Sequence, residues 1–160
     1  KPVLVLVNTG DDRIAPEKLV TYSHRKTVVM SLQGKLEMEI AQLDAAEAAV
    51  FMEEFGIVEL ALDRLIRASY ELVGLQSFFT VGDDEVRAWT VQHGATAVEA
   101  AAAIHTDLAR GFIRADVVAY QELMSVGGSM AEARKAGKSR LEGKDYLVQD
   151  GDILHVRFAL

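Results

Sequence analysis

Asn8-Thr9-Gly10-Asp11 is a polar tetrapeptide that follows an apolar run, and its side chains could bind a nucleotide base. A carboxylate such as that of Asp11 accepts a pair of hydrogen bonds, and guanine presents matching donors in its ring N–H and its amino group. Adenine offers no such donor pair. The same residue types are common in a plain turn between a strand and a helix, so both interpretations stay open from these residues alone.

Gly137-Lys138-Ser139 has the residue types that end a phosphate-binding loop of the form GxxxxGK[ST]. Such a loop needs an earlier glycine, so that backbone N–H groups can surround the phosphates, but Glu132 occupies that position. The loop must also lead from a strand into a helix, whereas the residues from Met130 to Ala136 favour a helix before the glycine. We therefore predict a helix end and a basic surface turn.

His105 and Asp107 could act together in proton transfer, because an imidazole can serve as a base that a carboxylate orients. Two residues apart on a helix, however, their side chains point in different directions. No serine elbow or cysteine accompanies them, so we predict a hydrogen-bonded helix end and no catalytic residue in this chain. The histidines at positions 24, 93, 105 and 155 also lack the close spacing of a metal site, and we expect no bound metal.

Basic residues are concentrated between positions 110 and 144, in a chain whose net charge is −7. Screening confines the field of each charge to about 8 Å at physiological salt, so a local cluster can contact phosphates despite the acidic total. Glu132, Glu142 and Asp145 lie among these cations, which leaves a solvated surface of mixed charge equally open. The candidate RNA or ribosome contacts are Arg110, Arg114, Arg134, Lys135, Lys138, Arg140 and Lys144.

Composition limits the class of protein. Half of the 160 residues are apolar, so we expect one ordinary domain or two small ones with a buried core. The absence of cysteine excludes a disulfide framework and thiol metal ligands. No apolar run approaches the ~20 residues of a membrane span and no signal-peptide pattern is present, so we expect a cytoplasmic protein without a membrane partner. Because Lys1 opens on a strand already under way, we also expect a longer parent polypeptide.

Positions 1–73 have the order of an α/β fold. The apolar run from Lys1 to Val7 predicts a strand of the kind buried in a parallel sheet. A helix that begins at Pro16, a second strand over Thr27 to Leu32 and a polar turn at Gln33-Gly34-Lys35 should follow.

Two more helices should complete these first 73 positions. Asp44 is a suitable N-cap, with Glu47 three residues later, for an alanine-rich helix that stops near Gly56. Apolar residues at helical spacing from Leu60 to Val73 predict a helix that ends at Gly74. The prediction is thus two strands and three helices, which cannot close a sheet alone.

The pattern changes at Gly74 to that of an α+β fold. Strand-forming residues on both sides of Gly82-Asp83-Asp84 predict a hairpin, and its aromatic residues Phe78, Phe79 and Trp89 should fill a core more readily than they stack on bases. Further elements are a helix from Thr96 to about Leu108 with Glu99 in a capping box, a C-cap at Gly111, a strand over Phe112 to Tyr120, a helix over Met130 to Ala136, and strands near Tyr146 to Val148 and Ile153 to Phe158.

Three segments resemble a known family when they are taken in order. They are GLQSFFTVGDDEVRAWTV at 74–91, IHTDLARGFIRADV at 104–117 and EGKDYLVQDGDILHVRF at 142–158. In these three segments the chain resembles the C-terminal TGS domain of the Obg-like ATPases, the YchF-type branch of the P-loop GTPases. The resemblance implies a ubiquitin-like β-grasp fold for positions 74–160, and the end of a P-loop nucleotide-binding domain with a linking helix for positions 1–73.

The resemblance also implies a nucleotide site, shared with residues that would lie upstream of Lys1. Lys1 to Asn8 is similar to the strand that leads into the base-recognition loop, and Gly34-Lys35 to the start of the loop that closes over the base. Asn8, Thr9, Asp11, Gly34 and Lys35 are therefore the candidate nucleotide contacts. Asp11 stands where these ATPases usually have Glu, and Thr9 where guanine-binding loops have Lys, so the choice between ATP and GTP is open.

The function implied is that of a ribosome-associated ATPase or GTPase that uses Mg²⁺ in its full-length form. We expect the present chain to be inactive by itself and to hold no nucleotide. An alternative is a standalone TGS-type module that binds RNA or the ribosome without hydrolysis. A ubiquitin-like carrier is disfavoured, because Phe158-Ala159-Leu160 closes a strand where carriers need a flexible Gly-Gly end.

Overall fold

A computed structural model describes residues 1–10, 12, 14–22, 24–82 and 84–159. The chain divides into two compact units, Lys1–Val73 and Gly74–Leu160. Each unit mixes helices with its own β-sheet, which confirms the mixed α/β class that the sequence predicts. Within the described residues, no helix is both long enough and apolar enough to cross a membrane.

The N-terminal unit is built on two parallel strands whose register runs from Val3 opposite Thr27 to Asn8 opposite Leu32. The parallel arrangement confirms the predicted parallel strand, whereas the predicted burial is wrong for this chain, since the residues of β1 are half-buried or exposed. Its described elements are β1 (Val3–Asn8), α1 (Pro16–Leu19), β2 (Thr27–Leu32), α2 (Gly34–Ile40), α3 (Ala45–Glu54) and α4 (Ala61–Val73).

Local signals set the ends of α3 and α4 as the sequence predicts. The Asp44 side chain accepts hydrogen bonds at 2.9 Å from the backbone N–H groups of Ala46 and Glu47, and so caps α3. After α4 the backbone turns at Gly74 with φ of 72°, a conformation that costs glycine little.

The helix predicted at Pro16 begins there and is short, since it ends at Leu19 and the β-branched Val20 after it is extended at φ −138°. Another prediction for the N-terminal unit is wrong. Gly34 and Lys35 do not form a turn; they begin the seven-residue helix α2. Counting α2, the described part of this unit has four helices where the sequence predicts three.

The C-terminal unit contains a five-stranded sheet in the order β4-β3-β7-β5-β6. β3 is parallel to β7, and the other neighbours in the sheet are antiparallel. The described elements are β3 (Leu75–Val81), β4 (Val86–Gln92), α5 (Ala97–Ile104), α6 (Thr106–Arg110), β5 (Phe112–Ala119), α7 (Tyr120–Met124), α8 (Met130–Lys135), β6 (Arg140–Glu142) and β7 (Asp152–Phe158).

Helices cover both faces of this sheet. On one face the alanines of α5 pack against Phe78, Val117 and Leu154, with Trp89 at the margin, which confirms the core role of Phe78. On the other face residues of α7 and α8 pack against Val118 and Ile153. Side chains alternate between faces along each strand, so β5 and β7 contribute to both clusters.

The helix predicted from Thr96 to Leu108 is correct at its start and wrong at its end. Thr96 and Glu99 form the predicted capping box. His105, however, is extended at φ −162° and divides the segment into α5 and α6.

The strand predicted near Tyr146 to Val148 is absent from the described sheet, where β6 is the earlier segment Arg140–Glu142. Val148 is buried, and its backbone N–H donates to the carbonyl of Ala95 at 3.0 Å. Its own carbonyl accepts from the Gln76 side chain at 2.7 Å. These contacts tie the segment to Ala95 before α5 and to the Gln76 side chain of β3, and it forms an isolated bridge between Leu147 and Thr96.

Asp152 is buried at the start of β7, at 2 % exposure. Its carboxylate accepts hydrogen bonds from the Tyr146 hydroxyl at 2.8 Å and from the backbone N–H of Gln149 at 2.9 Å. Burial and this bond to the Asp152 carboxylate raise the pKa of Tyr146 to about 12. The pair therefore holds the segment before β7 in place.

Tyr146→Phe should lower the free energy of unfolding by about 1–2 kcal/mol, because Asp152 stays buried with one partner fewer. In the wild-type chain an unfolded tyrosine ionises near pH ~10, whereas folded Tyr146 ionises near 12, so its contribution is complete below pH ~10 and is lost as pH rises toward 12. Urea unfolding at neutral pH and at about pH 11 measures both effects. Tyr120→Phe, which loses a hydroxyl from a residue that is 53 % exposed, is the matched control. Equal stability of the Tyr146 and Tyr120 variants would contradict this role.

Gly111→Ala should destabilise the chain by roughly 2–3 kcal/mol through overpacking. A Cβ at Gly111 would lie 2.2 Å from the carbonyl oxygen of Ala159, and that backbone is held by the Ala159 N–H bond to the Gly111 carbonyl. Gly82→Ala is the control, because its Cβ would meet only an ordinary contact at 3.6 Å. Thermal or urea unfolding compares them; a loss no larger than that of the control would refute the close approach.

Candidate functional site

Asn8 lies at the end of β1 and joins the two loops that follow the parallel strands. Its side-chain oxygen accepts hydrogen bonds from the backbone N–H groups of Gly10 and Gly34, each at 3.2 Å. Gly10 belongs to the loop after β1, and Gly34 opens α2 after β2. One amide thus fixes both loops at the carboxyl ends of parallel strands, the edge where α/β sheets bind ligands.

Gly34 packs closely against the side chains of Leu32 and Asn8. A Cβ at Gly34 would lie 2.9 Å from the Leu32 side chain and 3.1 Å from the Asn8 side-chain nitrogen. Thr9 reinforces the junction, since its N–H and its hydroxyl both donate to the Leu32 carbonyl, at 3.0 and 3.2 Å. The structure therefore brings together Asn8, Thr9 and Gly34 of the predicted site. Lys35 is exposed in the first turn of α2, and Asp11 lies outside the described residues.

An open pocket of about 320 Å³ adjoins this junction. Glu37 crosses one wall and accepts a hydrogen bond from the backbone N–H of Ala61 at the start of α4. Arg64 donates to the Ser31 carbonyl at 3.3 Å, and its buried Nε has no hydrogen-bond partner among the described residues. The lining is Thr9, Asp12, Ile14, Ala15, Ser31, Leu32, Gln33, Glu37, Gly56, Ile57 and Arg64.

His105 caps α6. Its Nδ1 accepts a hydrogen bond from the backbone N–H of Asp107 at 3.2 Å, which confirms the helix-end interpretation. The Asp107 carboxylate is 3.6 Å from the same nitrogen and 3.8 Å from the Arg110 guanidinium. Gly137 follows the end of α8 and has a φ of 67°. This confirms the predicted helix end, whereas in a phosphate loop the glycine would precede a helix.

Several of the predicted RNA contacts are engaged by neighbours on the protein. Lys135 forms an ion pair with Glu132 at 2.6 Å, and Lys138 donates to the Ser125 hydroxyl. Arg140 lies 3.7 Å from the Glu142 carboxylate and donates to the Tyr146 hydroxyl at 3.1 Å. These contacts support the mixed-charge interpretation for part of the cluster.

Asp116 binds Arg134 of the predicted set and also Arg157, which that set omits. It is buried in β5 at 4 % exposure, and its two carboxylate oxygens accept bonds from Arg157 Nη2 and Nε, both at 3.0 Å. Arg134 of α8 donates to the same carboxylate at 3.0 Å. Burial by itself would raise the pKa of Asp116, but the hydrogen bonds and charges of Arg157 and Arg134 outweigh burial and hold the pKa below its ordinary value.

These residues share one face of the sheet. In the β5–β7 ladder Asp116 lies opposite His155 and Arg114 lies opposite Arg157, and residues directly opposite in an antiparallel pair point to the same face. We call Arg114, Arg134, His155 and Arg157 the arginine face. His155 and Arg157 are absent from the sequence-based contact set. Their spacing along the strand Ile153 to Phe158 was the signal that could have found them, because alternate strand residues share a face.

The chain resembles proteins of one family over its whole length. The model YchF-GTPase_C, described as a protein of unknown function (DUF933), matches residues 75–159. Ribosome-binding ATPase YchF of Bacillus subtilis (strain 168) is 48 % identical over 166 residues, which cover 99 % of this chain and 45 % of that protein. Obg-like ATPase 1 of Gallus gallus is 37 % identical over 167 residues, with 99 % and 42 % covered.

Solved structures agree with this assignment. The YchF GTPase of Schizosaccharomyces pombe superposes with a TM-score of 0.77 at 28 % identity, over 98 % of this chain and 43 % of that one. A GTP binding protein of Pyrococcus horikoshii OT3, at 21 % identity, shares the fold with a TM-score of 0.59, over 99 % of this chain and 46 % of that one. The chain spans less than half the length of these relatives and aligns with their C-terminal part. The chain therefore belongs to the YchF-GTPase C-terminal family.

Proposed function

We propose that this chain is the C-terminal part of a ribosome-associated, nucleotide-hydrolysing P-loop protein. Its N-terminal unit would supply the base-recognition edge of the nucleotide site, and its C-terminal unit would be a TGS domain that docks the protein on the ribosome. The observation that carries the proposal is the Asn8 side chain, which fixes two loops at the carboxyl ends of β1 and β2.

The residues present fit a base and do not fit a phosphate chain. Asn8, Thr9 and Gly34 form a hydrogen-bonded junction of backbone and side-chain groups, the kind of edge that a purine can contact. No GxxxxGK[ST] sequence occurs in the chain, so residues elsewhere in the parent would hold the phosphates and Mg²⁺. A bound nucleotide with Mg²⁺ supplies the phosphoryl group and its charge stabilisation. This chain's residues would orient the base, and Thr9 and Asp11 leave ATP and GTP both open.

The strand order supports a β-grasp fold for the C-terminal unit. Numbered within the unit, the five strands lie in the order 2-1-5-3-4, with α5 between the second and third strands and packed on one face. A hairpin, a helix and then further strands is the arrangement implied by the TGS resemblance. The fold and the sequence similarity to ribosome-binding relatives together support docking as the role of this unit.

The ribosome is the proposed partner because the bacterial relatives are named ribosome-binding ATPases. A cytoplasmic location follows from that partner. The second candidate is a standalone module that binds RNA through the C-terminal unit, and the arginine face favours it independently of any nucleotide. Nucleotide binding by the parent separates the two candidates.

Asn8→Ala in the full-length parent should weaken ATP or GTP binding about tenfold, because the loops after β1 and β2 lose their shared acceptor. Gln42→Ala, at an exposed position after α2, is the control. Calorimetric titration of nucleotide into both variants measures the change. Undiminished binding by the Asn8 variant, and by a variant that also carries Asp11→Ala, would remove these residues from the base site.

The isolated 160-residue chain should bind neither ATP nor GTP measurably, since the base edge alone lacks the phosphate contacts that supply most of the affinity. Titration calorimetry with Mg²⁺ and each nucleotide tests this expectation, with the full-length parent as the positive control. Micromolar binding to the isolated chain would instead place a complete site within these residues.

A further inference from the structure

We propose that the arginine face, together with Tyr120 beyond the opposite end of β5, forms a binding surface for a single-stranded segment of RNA several nucleotides long. The proposal deepens the docking role, and it rests on the proposed function for the choice of the ribosome as the source of that RNA. The arginines would contact the phosphates, and the tyrosine ring would stack on a base.

Asp116 fixes the orientation of Arg134 and Arg157 before any ligand binds. Asp116 is almost fully buried, whereas the side chains of Arg134 and Arg157 remain 43 % and 53 % exposed. A guanidinium has five N–H donors, and Arg157 uses only its Nε and Nη2 toward Asp116. Its outer edge keeps donors for a second acceptor. Because the Asp116 carboxylate already fixes the guanidinium groups of Arg134 and Arg157, these side chains lose little further entropy when a phosphate binds.

Arg114 adds a third cation on the same face. It is exposed, lies opposite Arg157 in the ladder and reaches toward Gly143 at the edge of the sheet. Two arginines thus pair with one buried carboxylate and a third lies on the same face, which leaves an excess of positive charge in an otherwise acidic chain. Planar guanidinium groups on adjacent strands suit the bidentate recognition of phosphate oxygens.

An aromatic pair makes RNA a better occupant than an acidic protein. Phe79 is on the same sheet face, since it pairs with Ile153, and its ring lies 6.4 Å from that of Tyr120. Tyr120 is 53 % exposed and borders an open pocket of about 460 Å³. Asp150 also lines the pocket, but its carboxylate accepts from the Ser77 N–H at 2.9 Å. Cations that follow a backbone beside an exposed ring are typical of single-strand binding.

The test uses the complete protein with fluorescent oligouridine across a salt series. Arg114→Gln should weaken binding about fivefold and reduce the slope of log affinity against log salt by about 0.7, because one phosphate contact is lost. Tyr120→Leu should weaken binding about tenfold with an unchanged slope, because stacking is not ionic. Arg114 makes no bond to Asp116, so its replacement leaves the buried carboxylate paired.

Two further variants show whether a loss of RNA binding comes from the surface itself or from a change in stability or net charge. The double variant Asp116→Asn with Arg157→Gln conserves net charge and avoids an unpaired buried carboxylate, yet it should also lower the salt slope. Arg87→Gln is the matched control, because Arg87 is an exposed arginine on the far edge strand β4, 4.4 Å from the centre of the Trp89 ring, and should bind like the wild type. Circular dichroism verifies the fold of each variant.

Wild-type affinity in the Arg114 and Tyr120 variants would overturn the inference, as would a preference for duplex RNA over oligouridine. Co-sedimentation with purified ribosomes separates this outcome from failure of the proposed function. If both variants still bind ribosomes, the proposed function stands, but the arginine face and Tyr120 are excluded as the docking surface. Oligouridine binding through these residues, without ribosome binding by the wild type, supports the surface and overturns the ribosome as its source.

Discussion

The Asp116 carboxylate is the constraint on which the C-terminal unit depends. A buried carboxylate costs several kcal/mol unless it is paired and hydrogen-bonded, and Arg134 and Arg157 supply that compensation from two different elements. The interaction therefore connects β5, β7 and α8. It also fixes which way two guanidinium groups face, because the pairing fails if either one turns away. Stability and surface chemistry are consequently set by the same three side chains.

Asn8 has an analogous place in the N-terminal unit, with a neutral amide in place of a charge. One oxygen accepts from the backbone N–H groups of two loops, at Gly10 and at Gly34. The junction needs the parallel pairing of β1 and β2, which brings their carboxyl ends to one edge. The relatives are more than twice as long as this chain, so a base edge without a phosphate loop is consistent with the part of the family that it covers.

Features that depend on neighbours in sequence could be predicted from sequence. The Asp44 cap, the Thr96 and Glu99 capping box and the β3–β4 hairpin all rest on residues a few positions apart. Features that depend on distant partners could not. Arg157 is 41 positions from Asp116, and Gln76 is 72 positions from Val148, whose carbonyl accepts its side-chain hydrogen bond.

The candidate sites divide in the same way. The stretch after β1 is predicted to contact a base from the Asp11 carboxylate and from its similarity to a base-recognition loop. The structure joins Asn8 and Thr9 of that stretch to Leu32 at the end of β2 and to Gly34 after it. Density of basic residues along the sequence was a poorer guide to a surface. It included Lys135 and Arg140, which contact nearby acids, and it omitted Arg157, which lies 13 positions beyond the end of the cluster at position 144. Strand alternation, which sorts residues by face, carries the information that density lacks.

Arginine side-chain NMR tests the central claim most directly, because it reports each guanidinium separately. The Arg157 Nε–H should exchange slowly with solvent in the free protein, since it donates to a buried carboxylate. On addition of oligouridine the signals of Arg114, Arg134 and Arg157 should shift together while that of Arg87 stays in place. Fast exchange at Arg157, or shifts confined to Arg87 and Arg140 while RNA is bound, would contradict the account.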